Sequence, residues 1–570
     1  MTQASKKVVI ISLDGATFDV LEPLMQQGRM PHLRRVLESG LSARLASVLP
    51  PVTPPAWTSF MTGKHPSKHG IFGFMHFDPK QYNWTPNNSR YVQSKTIWQI
   101  LSDKGKEVIV LNLPQTYPPY PVNGVMVSGW DSVSSEFTYP PELGKEILET
   151  MPDYYDSKLW LCELIPAKTK KEFDEFVEKL ETAAHRSTTL ALRLLETRSW
   201  DAFMIHFHQT DWIQHKLWPE IERACDPKNN DVRAERVRQV YQCVDECLGT
   251  IVKHTSACEP MIVILSDHGF SRHHGHLYPN HYLKAWGYLH TAGEKPQPKD
   301  PLKSVKDLFR QSRLSSVRSV YRAAAKAKQA IAGEEVSNEF KEYSDKYDSW
   351  IDLSRANSQK RGRAIDWGRT RVVAVETYHC ACLFVNQVGR GPLGFVQSGP
   401  EYDAIVSDLV SRFSEVRDPR TGKKLVARAA RGTDIYPNAG PNVVLPDVML
   451  VPVEGYNCSA DIVDAIPEAA PEEEGMHHPS GVLVMGGKGI QPRRNGLQPT
   501  LVDVAPTILH ALGLPVPMDM DGRVLQEVFT SPGSVSYEDV DNSVVASQIP
   551  YSAEDAAVIE ERLRGLGYLE

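Results

Sequence analysis

Cysteine is scarce in this chain, with eight residues among 570 at irregular spacing. A disulfide framework needs a dense, regular set of cysteines in a short chain, so this pattern excludes the small disulfide-stapled class. Cys243 and Cys247 lie four apart in a helical pattern, and Cys380 and Cys382 alternate in a strand-like one. Neither pair has a second ligand pair nearby in the sequence, so we predict buried thiols rather than metal ligands.

An excess of basic charge is also missing. The formal net charge is −7 and the pI is near 6.3, whereas general nucleic-acid binders are usually basic. We therefore expect no nucleic acid polymer as a partner. A small anionic substrate stays compatible, because local charge in a site can oppose the global sign. The sequence does not decide the oligomeric state.

Long apolar runs are missing from the first residues. The chain begins MTQASKKVVIISLDG, in which two lysines precede only six apolar-type positions. That run is too short for a signal sequence or a membrane span, so the expected compartment is the cytoplasm. Internal repeats and long low-complexity tracts are absent from the sequence as well.

Four segments share the pattern of a buried strand that ends in a polar loop. They are KKVVIISLDG (6–15), GKEVIVLNLP (105–114), WDAFMIHFHQTD (200–211) and PMIVILSDHGF (260–270). Amphipathic helical patterns lie between them, for example at 232–254. This alternation predicts an α/β fold with a mostly parallel sheet covered by helices on both faces. In such folds the chemistry gathers at the carboxyl ends of the strands.

The amino-acid composition changes after Leu289. Residues 299–330 hold nine Lys or Arg against two Asp, with apolar residues interleaved. We predict an inserted basic helical cap at 291–365. It is either a solvated cap, a lid that attracts an anionic substrate, or a surface that touches acidic lipid. We assign residues 1–290 and 366–535 to a catalytic core and residues 536–570 to a C-terminal tail. Within the second part of the core, strand patterns resume at 366–386, 445–453 and 481–490.

Three of the predicted strands end in acidic or imidazole side chains. Asp14 closes the first, Asp211 closes the segment 200–211, and Asp267 and His268 close the last. A carboxylate at the end of an apolar strand is costly to desolvate unless a cation meets it. One such Asp is readily explained as a helix cap, but three at equivalent strand ends are not. His215 follows Asp211 by four residues, on the same side of a helical turn. Asp and His are the ligands that zinc and similar ions take, which favours a site for two metals.

Several segments, in one order along the chain, resemble the type I phosphodiesterase/nucleotide pyrophosphatase family of the alkaline phosphatase superfamily. They are VVIISLDGATFDVLEPLMQQGRMPHLRRVLESG, the proline-rich loop LPPVTPPAWTSFMTG, HQTDWIQHKLW, LSDHGF, GMHHPSGVLVMGGKGI and LVDVAPTILHALGLPVPMDMDGRVL. The resemblance covers residues 7–290 and about 366–530, and the terminal AVIEERLRGLGYLE is similar to a tail frequent among prokaryotic members. It implies an alkaline-phosphatase-like fold and a two-metal site.

The resemblance assigns the metal ligands residue by residue. One ion would be surrounded by Asp14, Thr53, Asp267 and His268, and the other by Asp211, His215 and His477. In GMHHP the Gly-x-His pattern favours His477 over His478. Zinc is the family's usual metal, and Mn or Fe accept the same ligands.

The resemblance also makes Thr53 the nucleophile. A neutral threonine hydroxyl is a poor nucleophile, and metal coordination lowers its pKa so that an alkoxide can attack phosphorus. The second metal stabilises the leaving oxygen, as in other two-metal displacements. A covalent phospho-threonine would form, and water would hydrolyse it.

The loop departs from the family pattern just after Thr53. Many nucleotide pyrophosphatases carry Asn three residues after the nucleophile, where this chain has Ala56 followed by Trp57. This leaves nucleotide specificity open, and we expect substrate choice to depend on Ala56 and Trp57. Pro54 cannot donate, so the Thr53 amide is the nearer donor for a phosphate oxygen. The Cys-x-Pro-x-Arg frame of sulfatases is missing here, since position 57 holds no Arg.

Other polar residues near these motifs are not predicted to be metal ligands or nucleophiles. Lys64 and Lys68 either attract phosphate or sit exposed. We expect His69 to be a structural neighbour of the loop. His206 and His208 alternate within a strand, and we expect neither to bind metal.

The leading hypothesis is a metal-dependent phosphohydrolase that cleaves a phosphodiester or pyrophosphate bond in a small phosphate ester. A phosphomonoesterase or a superfamily mutase on the same site are alternatives. A binding protein that keeps the fold without turnover is an alternative of another class. All seven predicted positions hold competent residues, which argues against that last one.

Overall fold

The computed structural model describes residues 7–132, 136–152, 154, 167–292, 365–376, 378–466, 474–492, 496–539 and 551–565. The predicted cap at 291–365 lies almost wholly outside the described residues, as do its predicted contacts with substrate or lipid. Much of the predicted tail at 536–570 lies outside them too. These assignments therefore stay predictions.

The described elements are numbered in chain order. The α-helices are α1 (Phe18–Gln26), α2 (Pro31–Ser39), α3 (Thr53–Thr62), α4 (Pro66–His69), α5 (Ile97–Asp103), α6 (Pro141–Thr150), α7 (Lys170–Thr197), α8 (Gln209–Lys216), α9 (Trp218–Cys225), α10 (Val232–Thr255), α11 (Pro279–Ala285), α12 (Pro400–Ser414), α13 (Gly432–Ile435), α14 (Val504–Ala511) and α15 (Ala553–Gly565). The strands are β1 (Val8–Leu13), β2 (Leu41–Ala46), β3 (Met75–Asp78), β4 (Asn83–Pro86), β5 (Val108–Leu113), β6 (Gly124–Ser128), β7 (Thr138–Tyr139), β8 (Ala202–Phe207), β9 (Met261–Leu265), β10 (Gly269–Arg272), β11 (Gly275–Leu277), β12 (Val372–Glu376), β13 (Ala381–Val385), β14 (Val426–Arg431), β15 (Val448–Pro452), β16 (Tyr456–Cys458), β17 (Gly475–His478), β18 (Ser480–Gly487), β19 (Val516–Pro517) and β20 (Tyr537–Glu538).

The main sheet has eight strands in the order β2-β18-β9-β1-β8-β5-β6-β7. Its central strands β9, β1, β8, β5 and β6 pair in parallel, while β18 and β7 pair antiparallel with their neighbours. Every residue of β1, β5, β8 and β9 is buried, as expected for strands covered on both faces. The predicted α/β fold with a mostly parallel sheet between helices is confirmed.

Successive residues of β1 face two different cores. Val9 and Ile11 pack in a cluster with α1, α2, α7 and α10. Val8 and Ile10 pack in another cluster with α3, α5 and α14. This alternation follows from the two-residue period of a strand, and it explains why the segment is apolar throughout.

The predicted helix at 232–254 is present as α10. It begins after Asp231, whose side chain accepts a hydrogen bond from the Ala234 amide and so caps the first turn. Its buried stripe, with Val237, Val244 and Leu248, packs in the cluster with α7. Within the described ranges, every helix is too short or too polar to cross a lipid bilayer.

A second sheet differs from the sequence expectation. The segments 366–386 and 445–453 join β14 in a separate four-stranded antiparallel sheet, in the order β12-β13-β15-β14, around a core of its own. Only 481–490 continues the main sheet, as β18. The reason lies in the connection between β12 and β13. Four residues link them, which suits an antiparallel hairpin, whereas a parallel crossover needs a dozen or more.

Candidate active site

The carboxyl ends of three neighbouring strands bring most predicted ligands to one edge of the main sheet. Asp14 directly follows β1. Asp211 and His215 lie on α8, which follows β8, and Asp267 and His268 follow β9. Because β1 lies between β8 and β9, these strand ends are adjacent.

His477 reaches this edge from a distant part of the chain. It lies in β17, which pairs antiparallel with β10, and it stands opposite Phe270. Since β10 begins directly after His268, this pairing brings the two imidazoles together. The rings of His268 and His477 stack with their centroids 3.6 Å apart.

Asp211, His215 and His477 form a compact group of buried donor atoms. The two Nε2 atoms of the histidines are 3.1 Å apart, and each lies 3.5 Å from Asp211 Oδ1. Nδ1 of His477 donates to the Pro51 carbonyl oxygen at 3.1 Å, so its Nε2 carries a lone pair. Burial lowers the pKa of His477 to about 4, which keeps the ring neutral near pH 7. This donor set fits a divalent cation.

Three carboxylates surround the Nε2 atom of His268. The distances are 3.3 Å to Asp267 Oδ2, 3.6 Å to Asp14 Oδ1 and 4.0 Å to Asp211 Oδ1. Nδ1 of His268 faces the Gly269 carbonyl oxygen at 3.1 Å and donates to it, so Nε2 carries a lone pair here too. Burial lowers the pKa of His268 to about 3. The carboxylates therefore find no positive charge on this ring near pH 7, and a cation between them would supply it.

The carboxyls of Asp14 and Asp267 have opposite pKa shifts. Burial raises the pKa of Asp267, and the neighbouring Asp14 raises it further, well above its usual range. Burial also acts to raise the pKa of Asp14, but His208 and His206 hold it well below its usual range. Like charges this close are relieved by protonating one of them. A bound cation would instead let both stay ionised.

Helix α3 begins at Thr53, directly after the first part of the proline-rich loop. Pro54 and Pro55 fit its first turn, because amide groups there need no partner within the helix. Thr53 is 1% exposed, and its hydroxyl has no hydrogen-bond partner among the described residues. A buried hydroxyl of this kind calls for an explanation, and a bound group provides one.

Two contacts tie the loop around Thr53 to both ligand groups. On one side, the Pro51 carbonyl oxygen accepts the hydrogen bond from His477. On the other, Trp57 donates from Nε1 to Asp14 Oδ2 at 3.2 Å. Thr53 and Trp57 are four residues apart on α3 and share a face of the helix. Thr53 is thereby flanked by contacts to both groups.

The side chains of Ala56 and Trp57 are enclosed, and the expectation that they choose the substrate stays a prediction. Neither has any exposed surface. The Trp57 ring meets Phe60 and His206 edge-on, with centroid distances of 5.7 and 4.9 Å. The enclosed indole is hydrogen-bonded to Asp14 and thereby positions that carboxylate.

The structure brings His206 and His208 against Asp14, which the sequence analysis missed. His206 Nε2 lies 3.1 Å and His208 Nδ1 3.0 Å from Asp14 Oδ2. Ser12 Oγ lies 2.8 Å from the other ring nitrogen of His206. With Asp14, the two histidines form a further group of potential ligands; the expectation that neither binds metal stays a prediction. His206 lies in β8, whereas His208 lies one residue past its end, directly before α8, so the prediction that both lie within a strand is wrong for His208.

The basic residues after α3 are paired with carboxylates. Lys64 pairs with Asp519, and Lys68 pairs with Asp521 at 2.6 Å. These pairs join the loop to the segment at 519–521 and do not leave the lysine charges free for a phosphate. His69 is buried, with Nε2 2.8 Å from a serine hydroxyl of α3, which fits the expected structural role.

The fold and this edge of the sheet define an alkaline-phosphatase-like α/β protein. A sequence model of the family "Type I phosphodiesterase / nucleotide pyrophosphatase" matches residues 8–366, more than half of the chain. The chain belongs to this family. The family points to a phosphoryl hydrolase.

Three solved structures are similar to this chain at low sequence identity. Phosphonoacetate hydrolase from Sinorhizobium meliloti 1021, in complex with phosphonoformate, is 14% identical with a TM-score of 0.50, over 90% of this chain and 96% of that one. Human ectonucleotide pyrophosphatase/phosphodiesterase 5 is 12% identical with a TM-score of 0.49, over 92% of this chain and 100% of that one. An inactive murine form of the same enzyme, in complex with AMP, is 12% identical with a TM-score of 0.48 over the same shares.

Proposed function

We propose that this protein hydrolyses a phosphodiester or pyrophosphate bond with Thr53 as the nucleophile and two divalent metal ions as cofactors. The observation that carries the proposal is the buried Thr53 hydroxyl, which has no hydrogen-bond partner in the described parts of the chain. It begins a helix whose flanking residues contact both groups of potential ligands.

The residues at this edge of the sheet fit two cations. One ion would be held by Asp211, His215 and His477, and the other by Asp14, Thr53, Asp267 and His268. When bound, the ions would lower the pKa of the threonine hydroxyl and offset charge on the phosphoryl oxygens. Zinc suits the mixture of nitrogen and oxygen ligands, and Mn or Fe also accept it.

The reaction proceeds in two balanced displacements at phosphorus. Oγ of Thr53 loses its proton to solvent and forms a bond to phosphorus, while the bond from phosphorus to the leaving oxygen breaks. Water then attacks the phospho-threonine, which restores the hydroxyl and releases the second product. Of the first three residues of α3 only Thr53 has an amide hydrogen, since Pro54 and Pro55 lack one. That amide lies at the positive end of the helix and favours an anionic phosphoryl group.

Asp14 is oriented by three nitrogen atoms around one of its oxygens. Trp57 donates to Oδ2, and His206 and His208 face the same atom. The other oxygen, Oδ1, faces Nε2 of His268 at 3.6 Å. This arrangement reserves Oδ1 for a cation and limits the rotation of the carboxylate.

The test combines metal analysis with a panel of substrates. Purified protein is assayed on an aryl phosphodiester, a nucleotide pyrophosphate, an aryl phosphomonoester and an aryl phosphonate monoester. We expect chelator-sensitive hydrolysis, with the diester or pyrophosphate preferred. Thr53→Ala should lose at least about 1,000-fold in kcat/KM and keep its metals, whereas Thr53→Ser should retain partial turnover. Mass spectrometry of a quenched reaction should find phosphate on the Thr53 peptide.

The other outcomes separate the alternatives. A preference for the monoester indicates a phosphomonoesterase, and transfer of the phosphoryl group back to the product indicates a mutase. Bound metal without turnover on any substrate favours a binding protein. Full activity of Thr53→Ala contradicts the proposed nucleophile.

A further inference from the structure

A second group of potential metal ligands lies between α7 and α10, and none of its members belongs to the candidate active site. Cys243 and Cys247 lie four apart on α10, so their sulfur atoms share one face of the helix. His185 on α7 faces both of them. One donor atom from each residue lies within 4.8 Å of the other two. His185 lies 58 positions before Cys243, so the spacing of residues in the sequence does not reveal it as a third member of the group.

The distances suit a thiophilic ion. Cys243 Sγ lies 3.4 Å from His185 Nε2, and Cys247 Sγ lies 3.9 Å from His185 Nδ1. Zinc binds sulfur at about 2.3 Å and imidazole nitrogen at about 2.0–2.1 Å, which at tetrahedral angles separates the two donors by about 3.6 Å. The two observed distances lie on either side of that value, but each involves a different ring nitrogen, so the ring has to turn for one nitrogen to serve both sulfurs. His185 is exposed, so its ring has room to turn one nitrogen toward both sulfurs.

The electrostatic surroundings favour a cation. The thiolate is the form of cysteine that binds metals, and a bound cation favours loss of the thiol proton. Glu181 and Glu246 add negative potential at Cys243. Both sulfurs are buried while the histidine is exposed, which leaves an entry path from solvent on one side.

We propose that His185, Cys243 and Cys247 bind one thiophilic cation, Zn²⁺ in the first place, with a water molecule from the exposed side as the fourth ligand. Binding releases the protons of the two thiols to solvent. Because the ligands come from two helices, the ion links α7 to α10. The site is structural, and it works independently of phosphoryl hydrolysis.

Cobalt separates this site from the candidate active site. A thiolate ligand gives an intense sulfur-to-cobalt charge-transfer band in the near ultraviolet, and the predicted active-site ligands are all oxygen or nitrogen atoms. The full chain, reduced and freed of metal, is titrated with Co²⁺. We expect a thiolate band that saturates at one equivalent and disappears when Zn²⁺ is added. His185→Gln should weaken Co²⁺ binding at this band at least tenfold. Cys258→Ser, which removes an exposed thiol, should leave it unchanged.

Two results would overturn the proposal. One is the absence of a thiolate band in reduced wild-type protein at saturating Co²⁺. The other is a band that keeps its affinity in His185→Gln. Neither depends on variants of the buried cysteines. Zn²⁺ should also raise the Tm of the wild type more than that of His185→Gln, and circular dichroism checks that this exposed substitution leaves the fold intact.

Discussion

The Nε2 atoms of His215 and His477 lie 3.1 Å apart although 262 residues separate them in the chain. Each also lies 3.5 Å from Asp211 Oδ1. His477 donates from its other nitrogen to the Pro51 carbonyl oxygen, so a lone pair on its Nε2 points into this group. Three buried donor atoms that converge in this way are arranged for a shared cation.

Loss of His477 should therefore remove one metal ion. We expect His477→Ala to lower the bound metal by about one equivalent per chain and kcat/KM by at least about 100-fold. Elemental analysis of the purified variant measures the first effect. His478→Ala is the matched control, because that neighbouring side chain is partly exposed and faces Glu454 at 3.9 Å. Equal metal loss in both variants would contradict the assignment.

The indole of Trp57 should matter through its hydrogen bond to Asp14. Trp57→Phe keeps an aromatic ring and removes the donor, and hydrogen bonds to charged groups contribute about 1.5–3 kcal/mol. We expect kcat/KM to fall about 10- to 100-fold. Trp98→Phe is the control, because Trp98 is as deeply buried in the same core and its Nε1 has no hydrogen-bond partner among the described residues. A similar loss of activity in both variants would mean that packing alone is responsible.

Metal removal should destabilise the fold, and Asp267 should govern the size of the effect. Burial and Asp14 raise the pKa of Asp267 in the metal-free site, so Asp267→Asn replaces a protonated acid by a neutral amide there. We expect little change in the Tm of the metal-free protein. Wild-type protein should gain about 2.7 kcal/mol from zinc at 100 times its Kd, and the variant should gain much less. Thermal unfolding with zinc or with chelator measures both. An equal gain in the two proteins would exclude Asp267 as a ligand.

Because of Asp131, the free energy of unfolding should fall as the pH rises. Burial raises the pKa of Asp131 to about 6, although its carboxylate accepts a hydrogen bond from the Gln115 amide. A raised pKa in the folded state means that the protonated form is favoured. The stability it contributes is thus complete below the reference value of 3.8 and is lost as the pH passes about 6. The full difference is about 3 kcal/mol.

Asp131→Asn should remove this dependence. In urea unfolding we expect the variant to be more stable than the wild type at pH 8 by up to about 3 kcal/mol, and the advantage to shrink toward pH 4. Glu149→Gln removes an exposed acid and serves as the charge-matched control. An advantage of Asp131→Asn that stays the same across this pH range would contradict the prediction.

The buried strands of the main sheet and the acids that follow them were predictable from the sequence. An unbroken apolar run indicates burial on both faces, and β1, β5, β8 and β9 follow that rule. The positions of Asp14, Asp211 and Asp267 at adjacent strand ends follow from the same local pattern, because parallel strands end at one edge.

Contacts between distant segments were decided by the tertiary structure. Family resemblance pointed to His477, but its contact with His268 depends on the pairing of β17 with β10. The enclosed position of Trp57 and the approach of His185 to Cys243 likewise depend on how whole elements pack. Local patterns report which residues are buried, since burial depends on each residue's own transfer free energy. Local patterns do not predict which buried residues contact each other, because those contacts depend on the packing of the entire chain.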